Sequence, residues 1–226
     1  MGWGKVQVLG LCLGAALLAG CQTVPTNLQA MNIAPSPVPD SELISSTAMP
    51  VGKATNAAPP GFISFCYRFA DQCAPSSPTD AAVLHLDGTK QALLDNVNRT
   101  VNHAIWPEDD MRHYGRAEYW DIPTDGYGNC KDYALTKRQA LIKAGISERA
   151  LRIAIVITPR NNRHAVLTVV TDRGDVVLDN LTDEIKPWTD SGYQWIARQD
   201  GAGELGWVTL AEGSNDFTLG TTAQTE

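Results

Sequence analysis

The chain has 226 residues, 43% of them hydrophobic, and a formal net charge of −7. That length allows one ordinary domain with extensions. A mildly acidic chain without a basic stripe is a poor nucleic-acid binder, so that class of partner is set aside.

The first twenty residues have the form of an export signal. Lys5 supplies the positive start, VQVLGLCLGAALLAG supplies the apolar run, and no acidic residue precedes Asp40. The run is too short to span a membrane as a helix. It ends in Leu18-Ala19-Gly20-Cys21, which resembles the lipobox of bacterial lipoproteins. That resemblance implies a lipidated Cys21, loss of residues 1–20 and attachment to a membrane through the lipid. A plain signal peptide cut nearby is the alternative. Gln22 carries no acidic inner-membrane retention cue, which favours the outer membrane.

Residues 21–60 read as a flexible tether, because they are rich in Pro, Ala, Ser, Thr and Asn and show no sustained period. The folded domain is expected over 61–210, followed by a polar tail at 211–226. Export places the cysteines in an oxidising compartment. With Cys12 removed and Cys21 lipidated, three remain. Cys66 and Cys73, in FCYRFADQC, are close enough to pair and so leave Cys130 free. A metal site using these two thiols with His103 or His113 lacks the CxxC spacing of structural zinc sites.

Within the domain, GTKQALLDNVNRTVNHAI (88–105) puts Leu93, Leu94, Val97, Val101 and Ile105 on one helical stripe. His103 on this helix is read as solvated or hydrogen-bonded. Residues 106–128 read as an ordered loop anchored by Trp106, Tyr114, Tyr119, Trp120 and Tyr127. A helix follows over about 130–144, with Asn129 as N-cap, Asp132 completing a capping box and Gly145 as the stop. Cys130 therefore sits at a helix start, where unpaired N–H groups and the helix dipole stabilise a thiolate. A buried inert cysteine is the bland alternative.

Three strands are expected next, at 152–158, 164–171 and 175–179. A hairpin loop at 171–174 pairs Val170 with Asp175 and Val166 with Asp179, which makes His164 and Asp179 diagonal neighbours on one face. Asp179 can then accept from Nδ1 of His164 and leave Nε2 facing the thiol, the orienting logic of a Cys-His-Asp triad. Asp175, beside the turn, is read as solvated.

YGNCKDYALTKRQAL, RHAVLTVV and VVLDNL, followed by KPW and YQW, resemble the bacterial transglutaminase-like cysteine proteinases, the LapG-type periplasmic proteases. The resemblance runs from about residue 61 to 199. It implies a papain-like or transglutaminase-like α+β fold, with a central helix carrying Cys130 packed on an antiparallel sheet carrying His164 and Asp179 as its catalytic partners. It also implies calcium held by acids around the nucleophile. Here Asn129 and Lys131 stand in that segment and only Asp132 remains, so no calcium or other cofactor is expected. The Lys131 ammonium is expected to reach Asp132 or an acid in the Asp121–Asp125 loop.

The function expected is a lipid-anchored, monomeric cysteine hydrolase that cleaves peptide bonds of an envelope protein through an acyl-thioester on Cys130. One alternative is acyl transfer to an amine, or amidase action on cell-wall peptides, because water and amine enter the same site. The other is a non-enzymatic binding lipoprotein, for which an intact trio would be superfluous.

Overall fold

The computed structural model describes Met1 and residues 36–52, 55–73, 77, 79–201 and 205–210. The chain divides into two units, Met1–Asn32 and Ile33–Glu226. Everything below concerns the second. The expected signal peptide, Cys21, the first part of the expected tether and the expected tail at 211–226 lie outside the described residues.

In chain order the elements are β1 (Thr55–Asn56), α1 (Pro60–Arg68), α2 (Gly88–Ala104), β2 (Trp106–Pro107), α3 (Asp110–Tyr114), β3 (Tyr127–Gly128) and α4 (Cys130–Lys143). They continue with β4 (Leu151–Ile157), β5 (Arg163–Thr171), β6 (Gly174–Leu178), β7 (Lys186–Pro187), β8 (Gln194–Gln199) and β9 (Trp207–Thr209). Seven strands form one antiparallel sheet in the order β1-β9-β8-β4-β5-β6-β7, and β2 and β3 form a separate parallel pair. This is an α+β architecture, as the family resemblance implies.

The central strands follow from composition. RIAIVI and HAVLTVV are β-branched and apolar on both faces, which suits strands covered on both sides. Ile153, Leu167, Val169 and Leu178 bury against Phe62, Phe65, Trp120, Leu135 and Leu141 from the helical layer. On the other face Ala154, Val156, Val166, Val177 and Trp195 form a second cluster with Met49. Each large apolar side chain buried in this way contributes about 1.5–3 kcal/mol before entropy is counted. Among the described residues, no helix is long and apolar enough to cross a membrane.

The hairpin adopts the expected register, with Val170 opposite Asp175 and the ladder running to Leu167 opposite Leu178. Its turn is tighter than expected, because Thr171 pairs with Gly174. Gly174 has a φ of +95°, and a Cβ there would collide with the backbone of Ser46 and Thr47.

That collision marks a correction to the expected tether. Residues 36–52 form a strap laid on the domain. Val38 donates its N–H to Gly88, Ser46 donates to Arg173, and Asp175 donates to Thr47, while the Met49 N–H reaches the Asp175 carboxylate. Residues 55–56 then add an edge strand, and α1 begins at Pro60. An extended segment held by backbone hydrogen bonds and two sparse apolar anchors, Leu43 and Met49, needs no periodic pattern. Composition therefore could not separate it from a tether.

Cys66 on α1 is joined to Cys73 by a disulfide, with the Cα atoms 5.5 Å apart. These thiols are thus not available as metal ligands. His103 and His113 instead pair with Asp183 and Asp125. Among the described residues Cys130 is the free cysteine.

Candidate active site

The start of α4 is held by reciprocal capping. The Asn129 side-chain oxygen accepts from the Lys131 N–H, and the Asp132 carboxylate accepts from the Asn129 N–H at 2.9 Å. The other oxygen of Asp132 accepts from the Asp121 N–H at 2.8 Å, which ties the preceding loop to the helix start. Asp132 is fully buried, and burial pushes its carboxyl up to about 7 against the opposing pull of Lys131 and these two N–H groups. Cys130 is therefore presented by a rigid first turn.

The partner of Lys131 differs from the expected one. Its ammonium lies 2.9 Å from Asp110 Oδ2 and 2.8 Å from Asn129 Oδ1. Asn129 Nδ2 in turn donates to Asp110 Oδ1. Asp110 lies at the start of α3, twenty-one residues upstream, and it also accepts from the Tyr119 N–H. No local pattern in the sequence points to it.

His164 and Asp179 lie at neighbouring ends of β5 and β6. His164 Nε2 is 2.7 Å from Asp179 Oδ1, and both side chains are buried. The ring is turned opposite to the expected way, so that Nδ1 is the nitrogen left for the thiol. Asp179 Oδ1 also accepts from the Leu181 N–H at 3.1 Å. Its other oxygen accepts from the Tyr193 hydroxyl, whose ring stands edge-on to His164 at 5.8 Å. Asn102 Nδ2 holds the Asp179 carbonyl at 3.0 Å. Tyr193 lies in the YQW segment, but nothing in its spacing marks it as a partner of Asp179.

Electrostatics couples the three groups. Burial alone would raise the Cys130 thiol. Its hydrogen bond to His164, the imidazolium charge, the Lys131 ammonium and the Ala165 N–H outweigh burial and bring it below the ordinary thiol range. Burial would lower His164, yet its bonds to Asp179 and Cys130 raise it to about 10. Asp179 is held below the usual carboxylate range: burial is overcome by His164, Tyr193 and the Leu181 N–H. An S⁻/imidazolium pair is the state this environment favours. Tyr193 is raised, by burial and then by the Asp179 charge, so it stays a donor.

A cavity of about 470 Å³ opens over Cys130 and His164, walled by Trp106, Met111, Tyr127 and Leu181. Trp106 is 68% exposed and Tyr127 46%. Both were expected as loop anchors, but of the five aromatics named for the loop only Trp120 is deeply buried. Exposed aromatic surface at a cleft is surface left for a ligand.

Further charges are buried along the sheet and α4. Asp175, expected in solvent, is buried with Arg198 at 2.6 Å and accepts the Met49 N–H, because the strap closes over the turn. Lys137 on α4 is 1% exposed; burial brings its ammonium down to about 7 against the pull of Asp179 and Asp183.

Residues 52–215 match the family model described as bacterial transglutaminase-like cysteine proteinase. Among solved structures, EGTA-treated LapG of Legionella pneumophila is similar at 25% identity and a TM-score of 0.46, over 55% of this chain and 68% of that one. The calcium-bound form of that protein gives 24% identity and a TM-score of 0.47, over 58% and 75%. A third structure of it gives 26% and 0.45, over 54% and 70%. No curated protein matches the chain.

Proposed function

The chain belongs to the bacterial transglutaminase-like cysteine proteinase family, and we propose that it is a lipid-anchored envelope hydrolase that cuts peptide bonds with Cys130 as nucleophile, His164 as acid–base and Asp179 as the orienting carboxylate. The observation that carries this reading is the buried His164–Asp179 contact at 2.7 Å, set beside the lone free thiol of the described residues at a capped helix start. A structural cysteine has no use for a histidine whose far nitrogen is clamped by a carboxylate.

In this reading the reaction runs through an acyl-enzyme. The thiolate attacks the scissile carbonyl carbon, and the C–N bond breaks as His164 passes its Nδ1 proton to the leaving amine. His164, now neutral, takes a proton from water, whose oxygen attacks the thioester and displaces the thiol. Asp179 stays ionised throughout and fixes the tautomer by accepting from Nε2–H. Backbone N–H groups near Cys130 supply part of the oxyanion hole in this reading. Exposed Trp106 and Tyr127 give an extended polypeptide an apolar wall to lie on.

Lipid anchoring rests on Leu18-Ala19-Gly20-Cys21 after a short apolar run. A Cys21→Ser variant should then leave the membrane fraction; membrane retention without labelled acyl chain would count against the anchor. For the chemistry, an unfolded protein mixture is digested and its new N-termini are mapped by mass spectrometry. Wild-type cleavage that vanishes in both Cys130→Ala and His164→Ala supports the reading. Equal cleavage by Cys130→Ala overturns it.

A further inference from the structure

We propose that the Lys131 ammonium is a built-in cation that braces the nucleophile loop in place of a bound metal ion. The family resemblance implies calcium beside the nucleophile, and the residues present do not fit it. The centre of the donor cluster is taken by Lys131 Nζ, 2.9 Å from Asp110 Oδ2 and 2.8 Å from Asn129 Oδ1. Asn129 turns its amide nitrogen to Asp110 Oδ1, which commits that carboxylate oxygen to a hydrogen bond and withdraws it from a metal. The Asp132 carboxylate is committed to the N–H groups of Asp121 and Asn129. A calcium site gathers six to eight oxygens, several of them carboxylate. Here one carboxylate and one amide oxygen face the cation position, and an ammonium already fills it.

The arrangement does what a bound ion would do. Lys131 and Asp110 are 4% and 5% exposed, so their pairing is screened little by solvent. Asp110 comes from α3 and also holds the Tyr119 N–H, Asn129 is the N-cap, and Lys131 is the second residue of α4. One ammonium thus pins the 106–128 loop to the turn that carries Cys130. A buried pair of this kind costs desolvation, and breaking it leaves the remaining charge stranded. A tethered ammonium cannot be withdrawn by a chelator or by falling calcium, so the loop is held constitutively. It also sits one residue from Cys130 and favours the thiolate.

The test uses the full chain and two readouts, the melting midpoint and the rate of Cys130 alkylation. The first does not depend on catalysis, so failure here is distinguishable from failure of the peptidase reading. In wild type, millimolar calcium and EGTA should give the same midpoint and the same rate. Lys131→Met should lower the midpoint and slow alkylation, by about tenfold for each unit by which the thiol pKa rises. Calcium that stabilises the wild type overturns the proposal, and so does a Lys131→Met protein equal to wild type in both readouts. Should Lys131→Met not fold, the double variant Asn129→Asp, Lys131→Glu decides. Calcium raising its midpoint by roughly 5 °C marks the Nζ position as a cation position, and indifference to calcium overturns it.

Discussion

The two ends of β6 carry the same kind of contact and put it to different uses. Asp175 meets Arg198 at 2.6 Å, and Asp179 meets His164 at 2.7 Å. All four side chains are buried; Asp175 is the second residue of β6, and Asp179 directly follows its last residue, Leu178. The Asp175 end is closed by the strap, through the N–H groups of Asp175 and Met49. The Asp179 end opens at the cleft, where His164 reaches Cys130. Burial and pairing alone therefore do not mark Asp179 for the orienting role proposed for it. What distinguishes the two aspartates is a partner that can give up its proton and a path from that partner to substrate; arginine has neither property here.

Asp179→Asn should break the comparison most sharply. It keeps the shape of the site and removes the acceptor for His164 Nε2–H, so cleavage should fall by roughly 10²–10⁴ while the melting midpoint moves little. Turnover near wild type would transfer the orienting role to another group.

Asp175→Ala is the reciprocal case. It strands a buried arginine and an N–H of the strap, and should cost about 3–5 kcal/mol of stability in chemical denaturation. The specific activity of the protein that remains folded should be unchanged. A lost rate without lost stability would mean that the two ends are coupled.

From the sequence, Asp175 beside the turn reads as solvated and Asp179 as the partner of His164. Asp175 is nevertheless as buried as Asp179, because residues 36–52 fold back over the hairpin. What was legible was local or followed from strand pairing: the Asn129–Asp132 cap, the start of α4 and the hairpin register. What was not legible came from contacts between distant segments that leave no periodic trace. Asp110 reaches Lys131 across twenty-one residues, Tyr193 reaches Asp179 across fourteen, and the strap is held by backbone groups common to every residue. The ring orientation of His164 was likewise undetermined, since strand pairing places the side chain and leaves χ2 free.

Tyr193→Phe sharpens the catalytic end further. It leaves the ring against His164 and removes one donor from Asp179, which makes the carboxylate more basic. Cleavage should drop by about tenfold, the scale of one hydrogen bond to a charged group. Both limbs of the pH–rate profile should move upward. A loss of rate with unmoved limbs would indicate packing alone.

The smallest effect expected is on stability against pH. His164, raised in the fold, contributes stability that is fully present below its unfolded value of about 6.5 and lost as pH rises through about 10. Cys130, lowered in the fold, contributes above its unfolded value and loses that contribution as pH falls through its folded value. The wild-type midpoint should therefore hold through neutral pH and decline towards pH 10. Cys130→Ser, lacking the thiolate that raises His164, should begin to decline earlier, by about a pH unit. Superimposable curves would remove the thiolate as a partner of His164.

The most direct test of the account is the pH dependence of native Cys130 alkylation, followed on the Cys130 peptide by mass spectrometry, in wild type and His164→Ala. Labelling should be fast well below pH 8.5 in wild type, with the profile shifted upward towards that of a free thiol in the variant. A wild-type Cys130 that stays unreactive until the protein is denatured, or an identical profile in His164→Ala, would contradict it.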